Sequence, residues 1–235
     1  TELIPGGSVA EEIRRSYHEQ LHEVREDVVK LAAKTCEQIG GATQALLDGD
    51  LSLVDHIYED HRDIENRVAQ VEHRVYQLFA LQQPMASDLR ELLAVLRILH
   101  EIELTAGLMR NVARAARRLY PRALDPRIRG IIERMGAQAS VQVHLSVDAF
   151  NDNDARVASA LPDMDDVMDD LQKELFRVVF AVGAPDESSL QMAVQVAFVG
   201  RDYERAADHA VMIGRWVAFM VTGELPGEAL DDLAL

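Results

Sequence analysis

The sequence predicts an all-α protein built as two tandem three-helix bundles, with six long antiparallel helices and an internal duplication. Proline and glycine are scarce in the 235 residues, with 7 and 13 copies, whereas good helix formers are abundant. Apolar residues recur at spacings of three, four and seven, as they do from Ile57 to Leu78, which is the period of an amphipathic helix. The two halves of the chain are also similar to each other.

Turn residues divide the first half into three segments, each of which reads as one helix. The first segment runs from about Ser8 to Leu47 and stops at an Asp-Gly-Asp turn, and the second runs from about residue 51 to residue 81. Pro84 is expected in the first turn of the third helix, because proline suits that position. This helix should end at about Leu119, before a Tyr-Pro pair.

The second half shows the same division. The fourth segment opens after an Asp-Pro pair at 125–126 and ends near Phe150, and the fifth reaches about Val182. The sixth runs from Asp186, a predicted N-cap, to about residue 222, with Gly223 as its C-terminal stop. Long helices joined by short loops are typical of bundles.

The duplication is clearest in the third and sixth segments. The sequence HEIELTAGLMRNVARAA from His100 matches RDYERAADHAVMIGRWV from Arg201, and aligning Glu103 with Glu204 puts Gly107 opposite Asp208. Two three-helix units related by duplication are the simplest explanation. We therefore expect a lead-in at residues 1–7, a first repeat at 8–120, a second repeat at 121–223 and a C-terminal tail at 224–235.

Composition excludes several function classes. The net charge of −16 argues against general nucleic-acid binding, which needs a basic face. Cys36 is the only cysteine, so an intramolecular disulfide and a cysteine zinc site are excluded, and a reducing compartment is expected. Neither a signal peptide nor an apolar run of about 18 residues is evident. We expect a cytoplasmic protein that meets membranes only through its partners.

Paired carboxylates form the strongest candidate site. Glu204 and Asp208 are four residues apart on the sixth helix, and Asp165 and Asp169 have the same spacing on the fifth. Each pair shares one helix face, where like charges repel unless something neutralises them. Two such pairs on adjacent helices would suit a divalent or trivalent cation, such as Fe, Zn, Mg or Mn. The alternative is a solvated acidic face.

The first half contains a weaker version of this pattern. Glu101 and Glu103 stand where Asp202 and Glu204 stand in the second half, but Gly107 removes the carboxylate four residues on. An exposed helix face is the alternative explanation there. The Glu-x-x-His arrangement of ferritin-like di-iron sites occurs once, as Glu19 and His22 in HEQLH of the first helix, and not at any of these carboxylates.

A strip of arginines stands out from the acidic average. Cations at a helix C-terminus complement its dipole, yet seven arginines exceed what one helix end needs, so an acidic partner surface or phosphate is a second interpretation. The strip comprises Arg110, Arg114, Arg117, Arg118, Arg122, Arg127 and Arg129.

Three stretches together resemble the PhoU family of phosphate-signalling regulators: LFALQQPMASDLRELLAVLRI at 78–98, DDVMDDLQKELF at 165–176 and VGRDYERAADHAVMIGR at 199–215. With the opening RRSYHEQLHEV, the resemblance covers about residues 14–223. It implies two three-helix bundles in tandem and a cytoplasmic, often dimeric protein without enzymatic activity. It also implies an adaptor between the Pst phosphate ABC transporter, including its ATPase, and a sensor histidine kinase, which is kept quiet when phosphate is plentiful.

Some members of that family bind metal clusters through E(D)-x-x-x-D motifs, one cluster per repeat. The resemblance implies metal ligands in the second repeat and a degraded site in the first, with Gly107 as the departure. It also makes Arg201 and Arg205, which flank the second site, candidates for tying down carboxylates or binding a partner, alongside the arginine strip. The second-repeat ligands would be Asp165, Asp169, Glu204 and Asp208, and the partner-binding set would be Arg110, Arg114, Arg117, Arg118, Arg201 and Arg205.

The expected function is therefore a negative regulator of phosphate uptake and of the phosphate regulon that acts by binding. Two other classes stay open on the sequence. One is a carboxylate-bridged metalloenzyme, which would need an open coordination position and a substrate pocket. The other is a metal-free helical scaffold.

Overall fold

The computed structural model describes residues 9–82, 84 and 86–226, and within these ranges it contains six helices and no strand. The all-α prediction is confirmed. The predicted lead-in at 1–7, and the predicted tail beyond residue 226, lie outside the described residues. The helices are α1 (Val9–Asp48), α2 (Leu51–Gln82), α3 (Ser87–Leu119), α4 (Pro126–Asp152), α5 (Ala155–Val182) and α6 (Glu187–Thr222).

Local capping chemistry explains most of these boundaries. The predicted N-cap Asp186 accepts a hydrogen bond from the backbone N–H of Ser189 at 2.7 Å. The predicted stop Gly223 has a φ of 86°, a left-handed conformation that glycine adopts without strain. One prediction was wrong: Pro84 precedes α3, which begins only at Ser87.

Helices α3 and α6 run antiparallel through the centre of the molecule. Arg90 of α3 donates to the carbonyl of Met220 near one end of the pair, and Arg118 donates to Gln195 near the other. Helices α1 and α4 also pack on each other and cover α3 and α6, while α2 packs on α1 and α3, and α5 packs on α4 and α6. The order α2, α3, α6, α5 therefore forms one broad side of the molecule, which we call the front face.

The hydrophobic core is shared between the repeats. One cluster brings together Ile39, Met109, Met168 and Tyr203, and it draws on all six helices. A second cluster likewise contains residues of every helix. The two three-helix repeats therefore stabilise each other across their contact. Among the helices described, none combines the length and apolar character needed to cross a membrane.

Small residues set the distance between α5 and α6. A Cβ placed on Gly214 would lie 2.9 Å from the carbonyl oxygen of Ala158 and 2.6 Å from Leu161 Cδ1. The first of these atoms belongs to the backbone, so it cannot move aside by a change of rotamer. By contrast, a Cβ on Gly130 of α4 would meet nothing within 4 Å.

Gly214→Ala is therefore expected to lower the free energy of unfolding by about 1–3 kcal/mol, because α5 and α6 must separate. Gly130→Ala, the matched control, should leave it unchanged or raise it by up to about 1 kcal/mol through helix propensity. Urea unfolding followed by circular dichroism measures both. Equal stabilities of the two variants would contradict this packing.

Candidate functional site

The four second-repeat carboxylates lie on facing parts of α5 and α6. Burial raises the pKa of Asp165, and the negative charges of Asp208 and Asp169 raise it further, against a hydrogen bond from Gln142. Burial also raises the pKa of Glu204, and the same neighbouring carboxylates add to the effect. The structure therefore brings the predicted residues into one electrostatically coupled group, which we call the acidic cluster.

Within the described residues, Glu204 has one carboxylate oxygen with a hydrogen-bond partner and one without. Its side chain is 14% exposed, and its Oε1 accepts a hydrogen bond from Arg201 at 3.1 Å. Its Oε2 is buried without a hydrogen-bond partner among the described residues. A buried acceptor without a hydrogen bond costs desolvation free energy that nothing in the folded state offsets. A cation bound to this oxygen would therefore stabilise the folded protein.

A groove of about 530 Å³ opens beside the acidic cluster on the front face. It lies between α3, α5 and α6, and Arg205 and Arg215 contribute positive charge to its wall. Its lining residues are Glu101, Leu104, Pro162, Asp165, Asp166, Arg205, Asp208, His209, Val211, Met212 and Arg215.

Glu101 belongs to this groove, although the sequence placed it in the first repeat. His209 Nδ1 lies 2.6 Å from Glu101 Oε2, and both side chains are 12% exposed. A ring N–H donating to a carboxylate at this distance is a strong hydrogen bond. Spacing could not show the pair, because 108 residues separate its members.

Glu103 faces the other way, towards α2. Burial raises its pKa, and the charges of Glu72 and Glu65 raise it further. The two glutamates predicted to share a weak first-repeat site therefore have different surroundings.

The chemistry of the acidic cluster suits a hard cation, but its side chains are not closed around one. Within residues 9–82, 84 and 86–226, no group of three or more His, Cys, Asp or Glu side chains stands at ligand distances. Side-chain rotation would be needed to complete coordination. The metal site stays a prediction.

In the first repeat, His61 of α2 lies next to Gly107 of α3, the residue that aligns with Asp208. The Cε1 of His61 would lie 3.9 Å from a Cβ on Gly107. In the second repeat, Asp165 is near enough to Asp208 for the charge of Asp208 to raise the pKa of Asp165. The ring is 3% exposed, and neither nitrogen has a hydrogen-bond partner within the described part of the chain, although Glu65 Oε1 lies 3.3 Å from Nε2.

Burial lowers the pKa of His61, and the positive charge of Arg110 lowers it further. A histidine and a glycine thus stand in the first repeat where the second repeat has two carboxylates. The sequence indicates both the glycine and an Asp60, His61, Asp63 and Glu65 cluster on the second helix, and the placement of α2 against α3 shows that His61 is the member next to position 107.

Members of the arginine strip have different surroundings. Arg117 pairs with Asp55 at 2.5 Å, and Arg118 donates to Gln195 at 3.3 Å. Arg110 packs beside His61, with its Nε buried and unpartnered among the described residues. Partner binding by these residues therefore remains a prediction.

Arg114 and Arg205 both act on Asp202. Burial raises the pKa of Asp202 to about 6, and a hydrogen bond from Asn111 and the charges of the two arginines oppose that rise. Arg114 of α3 therefore acts on Asp202 across the contact between α3 and α6, whereas Arg205 acts on it from the same helix.

Glu101→Ala is expected to lower the free energy of unfolding by about 1–3 kcal/mol, because it leaves the largely buried side chain of His209 without its partner. Glu103→Ala, two residues away on the same helix, should have a smaller effect, since it relieves repulsion from Glu65 and Glu72. Urea unfolding at neutral pH measures both. A loss as large for Glu103→Ala would show that the Glu101–His209 pair contributes no special stability.

Comparison with known proteins agrees with this architecture. The chain is 34% identical over 215 residues to "Phosphate-specific transport system accessory protein PhoU homolog 2" of Mycobacterium tuberculosis, covering 91% of this chain and 100% of that protein. Homolog 1 of the same species is 34% identical over 217 residues, covering 92% and 97%. The crystal structure of PhoU from Pseudomonas aeruginosa superposes with a TM-score of 0.83 at 25% identity, covering 88% of this chain and 100% of that one.

The family model described as "PhoU domain" matches twice, at residues 28–116 and 132–217. The first range lies within α1–α3 and the second within α4–α6. The chain therefore belongs to the PhoU family.

Proposed function

We propose that this protein is an accessory protein of a phosphate-specific transport system and acts in the cytoplasm as a non-enzymatic negative regulator of phosphate uptake and of the phosphate regulon. The observation that carries the proposal is 34% identity, over 91% of the chain, to a protein named for that accessory role. Its partners would be the transporter ATPase, a sensor histidine kinase and a second copy of the chain.

Binding is the mechanism that the structure supports best. The shared core couples both repeats, so a partner bound to one repeat can alter the surface presented by the other. A regulator of this kind shifts a kinase between two conformations only if it binds them with different affinities. The groove beside Asp208 is lined mainly by charged and polar side chains, which favours an interaction site over the pocket of an enzyme for apolar substrates.

We further propose that the acidic cluster holds a divalent or trivalent cation, with Asp165, Asp169, Glu204 and Asp208 as ligands. The supporting observations are the mutual repulsion of these carboxylates and the orphaned Oε2 of Glu204. Carboxylate oxygens suit Mg, Mn, Fe and Zn ions. A bound cation would neutralise the cluster and join α5 to α6.

Addition of Mn²⁺ to metal-free protein is expected to raise the melting temperature, because a ligand selective for the native state stabilises it. The variant Glu204→Gln/Asp208→Asn should lose this rise. The variant Asp163→Asn/Asp170→Asn makes the same change of charge on exposed positions of α5 and should keep it. A rise of the same size in the Glu204/Asp208 variant would reject the assigned ligands, and no rise in the wild type would favour the metal-free scaffold.

Affinity capture from cytosol and detergent-solubilised membranes, at high and low phosphate, tests the adaptor function. We expect recovery of the transporter ATPase or a sensor kinase with wild-type bait. Arg201→Glu/Arg205→Glu should reduce that recovery, whereas Arg62→Glu, at an exposed position of α2 outside both the arginine strip and the predicted partner-binding set, should not. Recovery of neither protein under both conditions would contradict the proposed function.

A further inference from the structure

Large apolar side chains are exposed near the start of α6. Phe198 is 60% exposed and Leu190 is 54% exposed, and Phe180, near the end of α5, is 81% exposed. Leu190, Val194 and Phe198 are spaced by four residues, so they form one continuous row on α6, which we call the apolar ridge. Contiguous exposed apolar surface marks an interaction site more often than scattered single residues do.

A groove of about 350 Å³ opens beside the apolar ridge, between the end of α3 and the start of α6. Two arginines, Arg118 and Arg122, line it together with Gln191 and Gln195, and none of its lining residues is an Asp or Glu. We call it the arginine groove. Gln195 lies about 60° from Phe198 around the axis of α6. A basic surface and an apolar surface therefore adjoin at this end of the molecule.

Neither arginine of the groove forms a salt bridge with a carboxylate of the described residues. Arg118 donates instead to the neutral side-chain amide of Gln195 at 3.3 Å. Arg122 lies near Asp186, but that carboxylate already accepts a hydrogen bond from the backbone N–H of Ser189. This hydrogen bond lowers the pKa of Asp186, and the charge of Arg122 lowers it further. Both guanidinium groups therefore keep donors for a further carboxylate.

The surrounding segments add to this positive charge. Residues 111–122 contain four arginines and no acidic residue, and residues 173–201 contain three basic and three acidic residues. One of these acidic residues, Glu174, pairs with Arg134 of α4 at 2.7 Å. The basic residues of the second segment are exposed and are Lys173, Arg177 and Arg201. Basic residues thus predominate here, in a chain whose net charge is −16.

The acidic cluster lies too far along α6 to cancel this charge. Glu204 follows Gln195 by nine residues, which is about 14 Å of helix. The Debye length at physiological ionic strength is shorter, about 8 Å. Leu175 of α5 packs against Gly200 of α6, so the exposed basic residues of segment 173–201 lie between the arginine groove and the acidic cluster.

The equivalent place in the first repeat lacks the two arginines of the groove. Leu89 and Leu93, which the duplication aligns with two residues of the apolar ridge, are also exposed. The positions that align with the two arginines of the groove are occupied by Phe219, which is buried, and by Gly223. The first repeat therefore has exposed apolar residues without this basic neighbour, and it provides a matched control.

We propose that the apolar ridge and the arginine groove together bind an acidic amphipathic helix of a partner protein. Its apolar residues would cover Leu190, Val194 and Phe198, as in other helix-in-groove complexes. Its Asp or Glu residues would pair with Arg118 and Arg122, because guanidinium groups bind carboxylates with paired hydrogen bonds.

Charge complementarity selects this occupant. A second copy of the chain is a poorer occupant, because its densest carboxylates are those proposed above to hold a cation. The inference rests on the binding role proposed above and specifies the chemistry of one partner.

Fluorescence anisotropy with the full chain tests the proposal. The probe is a labelled helical peptide of about 18 residues, with Leu on one face and Glu on the other, and the comparison peptide replaces every Glu with Gln. We expect saturable binding of the Leu/Glu peptide that weakens as the KCl concentration rises, and weaker binding of the Leu/Gln peptide. Equal binding of the two peptides would overturn the role given to charge.

Serine substitutions locate the apolar contact. Leu190→Ser/Phe198→Ser should weaken binding of the Leu/Glu peptide by about tenfold or more, whereas Leu89→Ser/Leu93→Ser, at the equivalent place in the first repeat, should stay within about twofold of wild type. Circular dichroism verifies that each variant is folded. Equal losses for the two serine pairs would overturn the assignment to the apolar ridge.

Glutamine substitutions locate the charged contact. Arg118→Gln/Arg122→Gln should weaken binding of the Leu/Glu peptide by about fivefold and leave binding of the Leu/Gln peptide unchanged. Arg15→Gln/Arg62→Gln removes the same charge from exposed positions of α1 and α2, and it should stay within about twofold of wild type. Equal losses for the two arginine pairs would show a general charge effect and overturn the assignment to the arginine groove.

Two further results distinguish this inference from its alternatives. Size-exclusion chromatography in which wild type is a dimer and only Leu190→Ser/Phe198→Ser is a monomer would overturn it in favour of a second copy. If the peptide results hold but affinity capture recovers neither transporter ATPase nor kinase, the accessory function fails while this binding surface stands.

Discussion

The antiparallel contact between α3 and α6 is the constraint on which the rest of the structure depends. At 1.5 Å per residue these helices are each about 50 Å long, and cross-contacts occur near both ends and near the middle, where Glu101 meets His209. This contact places α2 and α5 at the two edges of the front face. It also merges the repeats into shared cores, so neither three-helix unit buries its apolar residues alone.

The two repeats have the same helix arrangement but different side chains at the equivalent site. Where α5 and α6 bring Asp165 and Asp208 together, α2 and α3 bring together His61 and Gly107. Carboxylates repel one another in both repeats, but the first repeat has a buried histidine ring and a glycine where the second has two further carboxylates. A duplicated fold can keep its packing while one copy specialises for charge, because the apolar stripe and the front-face residues lie on different sides of each helix.

Much of the fold could be predicted because its signals are local. Asp186 and Gly223 act on backbone groups a few residues away, and the apolar period of each helix is readable in the sequence. The acidic cluster was also predictable, since its members form i, i+4 pairs on two helices. The Glu101–His209 pair, the position of His61 and the close approach at Gly214 were not, because each depends on how helices distant in sequence pack together.

The central claim is that the residues at positions 61 and 107, a histidine and a glycine in place of two carboxylates, account for the difference in cation binding between the two repeats. The most direct test is a Mn²⁺ titration by isothermal calorimetry of wild type and of the variant His61→Asp/Gly107→Asp, with circular dichroism to verify folding. In wild type, the account predicts Mn²⁺ binding only in the second repeat. In the His61→Asp/Gly107→Asp variant, it predicts additional Mn²⁺ binding in the first repeat. This additional binding should persist when Glu204→Gln/Asp208→Asn is added. A folded variant whose metal stoichiometry equals that of wild type would contradict it.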